Sequence, residues 1–177
     1  MKKTLFFRVL NRVLHLMARN LPGARMTRPF LHRLRGVKIQ KNVWIGDDVY
    51  IENEYPELIE INENAAITLR TTLIAHTRGP GKIIIGKNVF IGCGCVIACP
   101  PYYTLTVGEG SVIAANSLIS KSIPPFSFVA APEAKPIAKV TVPFLENVSY
   151  SEFIAGLVPI KRKNEKSAHI EKLDCPQ

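Results

Sequence analysis

Aliphatic residues return every six positions through the middle of this chain. They fall in four groups of three: Ile39, Ile45 and Ile51, then Ile61, Ile67 and Leu73, then Ile85, Ile91 and Ile97, then Val107, Ile113 and Ile119. A strand alternates every two residues and a helix returns about every 3.6, so neither explains a beat of six. The extra residues enter only between the groups, at Glu52–Glu60, Ile74–Ile84 and Ala98–Thr106, and leave the beat intact. A fixed repeat with insertions confined to particular places is the mark of a solenoid. Six residues can form one short strand and one turn. Three such units close a triangular coil whose aliphatic residues point to the axis and stack on the next coil. Gly46, Gly86, Gly92 and Gly108 follow their aliphatic residues directly. Val43, Val49, Val89, Cys95 and either Ala115 or Ser117 stand near the turns, where compact groups are wanted.

The pattern changes before the first group. Leu5, Val9, Val13 and Leu16 recur at helical spacing, as do Phe6, Leu10, Leu14, Met17 and Leu21. Arg8, Arg12, His15 and Arg19 recur on the other side, which predicts an amphipathic helix with a basic face, ended by Pro22-Gly23. A second short helix is expected after Thr27, stopping at Gly36. These patterns predict a helical arm over 1–36 and a repeat domain that begins at 37. From Lys161 the chain is mixed in charge, and a frayed end is expected there.

Charge sharpens this division. The formal net charge is +9, yet no acidic residue precedes Asp47, while Lys2, Lys3, Arg8, Arg12, Arg19, Arg25, Arg28, Arg33, Arg35, Lys38 and Lys41 all do. The arm's apolar face is expected either to pack on the rest of the protein or a neighbouring subunit, or to lie on an anionic membrane surface. No nucleic-acid-binding motif accompanies the charge, so nucleic acid is not an expected partner. Arg8 and Arg12 interrupt the apolar run of the N-terminus, which argues against a leader or a membrane span and for a cytoplasmic protein, peripheral to the membrane where the arm touches it. Cys93, Cys95 and Cys99 lie within seven residues and suit a reducing compartment. Tetrahedral zinc wants four ligands, and this run supplies three without a nearby histidine, so no metal is expected. Cys95 fills a small inward position, while Cys93 and Cys99 stand six apart at equivalent places on adjacent faces.

The hexads "IGDDVY", "IGKNVF" and "VGEGSV" resemble the repeat of left-handed parallel β-helix acyltransferases. The segment beginning "RGVKIQKNVWIGDD" is similar to the branch that includes capsule, exopolysaccharide and maltose O-acetyltransferases. The ending "SLISKSIPPFSFVAAPEAKPI" is similar to that family's closing signature. That similarity carries the repeat domain over 37–140 and leaves a C-terminal extension with a polar tail over 141–177. The resemblance implies an all-β fold, a left-handed parallel β-helix of about four triangular coils with N-terminal amphipathic helices. It also implies a homotrimer that uses acetyl-coenzyme A as co-substrate, with no tightly bound cofactor.

Acyl transfer to a hydroxyl needs a base, and histidine suits the task near neutral pH. His15 and His32 lie in the arm and His169 in the tail; His76 alone lies among the hexads, opening the inserted segment "HTRGPGK". By resemblance, His76 is the catalytic base. Thr77-Arg78 follow it where many members have an acidic or aromatic residue, so the group that orients the imidazole stays open. Asn53, Glu54 and Glu57, in the expansion after Ile51, are candidates, and Asn53 is a candidate for acceptor contact. The resemblance carries coenzyme contacts onto Thr106, Ala115, Ser120 and Lys121, and places Lys121, Lys135 and Lys139 near its phosphates. "IAANS" and "APEAK" replace the usual "IGAGS" and "GNPAK", which would narrow that groove. Tyr102 and Tyr103, in the stiff expansion "ACPPYYTL", offer rings that could stack on a sugar acceptor or pack on the arm or a neighbouring subunit. The expected reaction is O-acetylation of a sugar in cell-envelope or exopolysaccharide synthesis. An antibiotic or amino-acid acetyltransferase and a non-catalytic β-helix scaffold are the alternatives. One histidine among the repeats is too few for the three-histidine metal site of a γ-type carbonic anhydrase.

Overall fold

A computed structural model describes residues 5–131, 138–143 and 148–159. The chain divides into two compact units, Met1–Ala131 and Pro132–Gln177. The first opens with helices α1 (Leu5–Asn20) and α2 (Thr27–Leu34). Thirteen short strands follow: β1 (Lys38–Ile39), β2 (Trp44–Ile45), β3 (Tyr50–Ile51), β4 (Ile59–Ile61), β5 (Ala66–Ile67), β6 (Thr72–Ile74), β7 (Lys82–Ile85), β8 (Phe90–Ile91), β9 (Val96–Ala98), β10 (Thr104–Val107), β11 (Val112–Ile113), β12 (Leu118–Ile119) and β13 (Phe128–Val129).

Strands three apart pair in parallel and β13 adds to β11, giving sheets ordered β1-β4-β7-β10, β2-β5-β8-β11-β13 and β3-β6-β9-β12. This is a parallel β-helix of about four turns. The register stacks like on like: Ile39 on Ile61, Ile85 and Val107 in the first sheet; Ile45 on Ile67, Ile91 and Ile113 in the second; Ile51 on Leu73, Ile97 and Ile119 in the third. All twelve are buried, none more than 8% exposed. Each contributes about 1.5–3 kcal/mol of burial, which one coil standing alone could not obtain.

The corners follow a second rule. Three residues after each first and second aliphatic position the backbone turns left-handed, at Asn42, Asp48, Asn64, Arg70, Asn88, Gly94, Gly110 and Asn116. Asn, Asp and Gly tolerate that conformation best, which is why they recur there. At Gly94 a Cβ would also lie 2.4 Å from the Asn116 side chain above it. The next residue points inward and is small: Val43, Val49, Ala65, Thr71, Val89, Cys95, Ser111 and Ser117 are all buried. Of the two candidates in the last coil, Ser117 is the inward one and Ala115 is exposed.

Of the two outcomes expected for the arm, packing of its apolar face on the rest of the protein is not the one found. Its apolar face does not pack on the coils: Leu5, Phe6, Val9, Val13 and Leu16 are 47–77% exposed. The polar face turns inward instead. His15 is buried, Asn11 donates through its amide to the Asn53 carbonyl, and Arg19 reaches Asp48 with Nε at 2.8 Å. Arg8 pairs with Glu54 at 3.5 Å. From α2, buried Arg28 pairs with Asp47 and donates to the Ile45 carbonyl at 3.1 Å. Arg35 bridges Asn11, His32 and the Glu52 carbonyl, each at 2.8 Å. The physical reason is that the first coil presents carboxylates and carbonyls at its edge, and the polar groups of the arm satisfy them.

In the second unit, β14 (Ala138–Val140) pairs antiparallel with β15 (Leu157–Pro159). Between them α3 (Tyr150–Ala155) is started by a capping box of Ser149 and Glu152. Residues 132–137, including Lys135, and the tail from Lys161 lie outside the described residues.

Candidate active site

All the expansions of the hexad pattern fall at one corner of the prism, between the third sheet and the first. The segments 52–58, 75–81 and 99–103 stack there, one above another. The segment after His76 folds back on itself in an isolated antiparallel bridge to Pro80. Tyr102 N–H donates to the Pro80 carbonyl at 2.8 Å, and a Cβ on Gly79 would come within 3.3 Å of the Tyr102 ring. One edge of the molecule thus carries every loop of irregular length within the coils.

His76 is half-buried at that edge, beside an open cleft of about 460 Å³ lined by Arg19, Asp48, Tyr50, Glu52, Arg70, Thr72, Ile74 and His76. Its backbone N–H donates to Glu52 Oε2 at 3.1 Å, and its ring lies 4.8 Å from the Tyr55 ring, inclined at 48°. Glu52 is only 5% exposed, and its other oxygen accepts the Glu54 N–H at 2.9 Å. One buried carboxylate therefore ties the loop below His76 to the strand end that bears it, and Tyr55 limits the ring from one side. Neither residue was among the candidates read from the sequence. The gap after Ile51 announces a loop, but no periodicity tells which of its side chains folds inward. The carboxylate that reaches the His76 backbone is Glu52, next to the expected Asn53. Asn53 and Glu54 are engaged by the arm instead, Asn53 by Asn11 and Arg35 and Glu54 by Arg8.

Farther along the cleft, Asp48 stands between Arg19 and Arg70, the latter at 3.8 Å. Burial, then the Glu52 carboxylate, pushes the Tyr50 phenol up, so it remains a hydroxyl at neutral pH. Below it, His15 lies 4.8 Å from the Tyr50 ring. Burial first, then Arg35 and Arg19, pushes His15 down to about 3, and burial with Arg35 likewise lowers His32. Those two histidines are neutral packing groups, and His76 is the one that faces the cleft.

The expected coenzyme and acceptor residues separate into two sets. Tyr103 Oη and the Thr106 N–H both meet Ser122 Oγ at 3.0 Å, joining the tyrosine loop to the last coil. Ser120 and Lys121 are exposed on the same corner, and Tyr102 is 86% exposed beside them in the stack of loops. Ala115 sits at a different corner, between β11 and β12, and Lys139 lies exposed on β14 of the second unit. The cysteines are placed unequally. Cys93 is exposed at a regular corner, whereas Cys99 opens an expanded one and is buried with Sγ 3.1 Å from the Tyr103 carbonyl. Cys95 Sγ contacts the Ala114 carbonyl at 3.1 Å. Among the described residues no group of three His, Cys, Asp or Glu converges as metal ligands.

No family model matches the chain. It is 32% identical over 80 residues to "Putative acetyltransferase YvoF" of Bacillus subtilis (strain 168), a match covering 42% of this chain and 44% of that protein. It is 47% identical over 58 residues to "Putative acetyltransferase C18B11.09c" of Schizosaccharomyces pombe, covering 33% of this chain and 26% of that one. The Staphylococcus aureus (strain COL) "Putative acetyltransferase SACOL2570" is 42% identical over 60 residues, 34% of this chain and 28% of its own. The chain spans less than half the length of these curated relatives. Among solved structures, a galactoside acetyltransferase in complex with coenzyme A has 24% identity and a TM-score of 0.49, over 71% of this chain and 76% of that one. A maltose O-acetyltransferase from Clostridium difficile 630 has 19% identity and a TM-score of 0.47, over 72% and 82%.

Proposed function

We propose that the protein is an acetyltransferase that moves the acetyl group of acetyl-coenzyme A to a hydroxyl, on a sugar of a cell-envelope or exopolysaccharide precursor. The observation that carries this reading is the setting of His76. It is the one histidine among the coils, and it is placed at a cleft by the Glu52 carboxylate and the Tyr55 ring. The curated relatives, all named as acetyltransferases, support the reaction class. His76 takes the acceptor's hydroxyl proton as that oxygen attacks the thioester carbonyl. The tetrahedral intermediate collapses, the carbon–sulfur bond breaks, and the imidazolium returns the proton to the departing thiolate. Transfer is direct, in a ternary complex, and no enzyme nucleophile is required.

A homotrimer fits this reading. The outward side of the second sheet is a ladder of Trp44, Ala66, Phe90, Val112 and Phe128, in which Trp44, Phe90 and Phe128 are 41%, 46% and 74% exposed. Such an apolar face on one side and an open cleft at another edge suit a head-to-tail ring, in which each cleft is completed by the next copy. A cytoplasmic enzyme that meets its acceptor at the inner face of the membrane is consistent with the basic arm.

The test is thiol release from acetyl-coenzyme A across a panel of sugar acceptors, with His76→Ala beside the parent chain. A fall in kcat/KM of about 10²–10⁴ with coenzyme A binding retained is expected. Unchanged turnover would remove His76 from the chemistry.

A further inference from the structure

We infer that the arm is a docking device for an anionic lipid surface, independently of what the cleft catalyses. Three observations combine. The outward face of α1 is continuous and apolar along its whole length, from Leu5 and Phe6 through Val9 and Val13 to Leu16, and Phe30 of α2 is 56% exposed as well. This face cannot roll inward, because the opposite face is fastened to the first coil through Asn11, His15 and Arg19. The carboxylates that the first coil brings to the arm, Asp47, Asp48 and Glu54, are each paired with one of its arginines, so the unpaired charge left beside the apolar face is basic. No acidic residue precedes Asp47, and Arg12 and Arg25 are exposed and form no ion pair among the described residues. Arg12 flanks the apolar stripe directly, and the Arg25 guanidinium extends over the Trp44 ring at 5.6 Å.

Charge complementarity selects the occupant. A second copy brings the same positive rim, so joining two arms face to face would set like charges together around the apolar strip. A bilayer with acidic headgroups offers the opposite charge, and its soft boundary accepts a convex apolar helix face. No described helix is long and apolar enough to cross a membrane, so the arm lies in the plane of the surface, with the coils held above it by their grip on the polar face.

The test uses the full chain in co-sedimentation with vesicles of phosphatidylcholine, with and without phosphatidylglycerol. Binding to the anionic vesicles alone, weakened by added salt, is expected. The variant Phe6→Ser/Val13→Ser, at two exposed positions that touch no coil, is expected to lose binding by more than about tenfold while its mass in solution and its melting curve stay unchanged. Arg12→Gln/Arg25→Gln is expected to weaken binding to anionic vesicles by about tenfold. Coenzyme A binding without vesicles stays at the parent level in the serine variant, which separates this proposal from the catalytic one. Two results would overturn it: a parent chain that remains in the supernatant with anionic vesicles, or a serine variant whose oligomeric mass falls, which would make the face a contact between copies.

Discussion

The coils and the arm are built on opposite principles within one unit. The coils bury columns of stacked aliphatic residues, as in Ile45 on Ile67 on Ile91. The arm buries His15, Arg28, His32 and Arg35 and turns Leu5, Phe6 and Val9 to the outside. Hydrophobic stacking is non-directional and carries no titrating group, whereas the arm's grip depends on charge state and hydrogen-bond geometry. The coils are therefore the rigid frame for His76, and the arm is the part that solution conditions can loosen.

The sharpest way to break this comparison is to attack the frame. Ile91→Ala, at a fully buried position of the second sheet, is expected to cost about 2–5 kcal/mol and to lower the midpoint of urea unfolding. A smaller loss would mean that the coils do not depend on their stacked columns. Arg35→Ala removes donors from Asn11, His32 and the Ile51 and Glu52 carbonyls. It is expected to destabilise the docked arm by about 3 kcal/mol, read as faster amide exchange in α1 with the strand amides of β8 and β11 unchanged.

Acidification is the next lever. The folded protein holds His15 neutral, down to about 3 against an ordinary 6.5, so the unfolded or undocked arm binds the proton first. The stability from this burial is complete above pH 6.5 and is lost as pH falls through the window toward 3, at about 1.4 kcal/mol per pH unit well inside it. His32 acts in the same direction. The protection factors of the α1 amides, which divide out the intrinsic exchange rate, are expected to be lower at pH 5 than at pH 7.5, with those of the coil amides unchanged. Asp48→Asn is the mildest change, because the Arg19–Asp48 pair is partly exposed; about 0.2–1 kcal/mol is expected, again in the arm alone.

Much of the candidate site could be read from spacing. The expansions between hexad groups mark the loops, and His76 opens one of them. That all these loops stack on one edge follows from three strands per turn, since every gap between groups then falls at the same corner. Glu52 and Tyr55 could not be read in this way, because irregular loops carry no period and their side chains are placed by what lies above. The unequal burial of Cys93 and Cys99 has the same origin: equal spacing in sequence meets a tight corner in one case and an expanded one in the other.

The sequence by itself determined the prism. Its beat of six names the inward residues, and the Asn, Asp and Gly positions name the corners, because both rules act between residues close in the chain. The tertiary structure alone decided which way the arm faces. Amphipathicity specifies two faces but not which is buried, and that choice rests on Asn11 meeting Asn53 and Arg19 meeting Asp48 across 42 and 29 positions of chain. Pairings between residues so far apart leave no local pattern, and they reverse the usual outcome because the first coil offers the helix carboxylates and carbonyls.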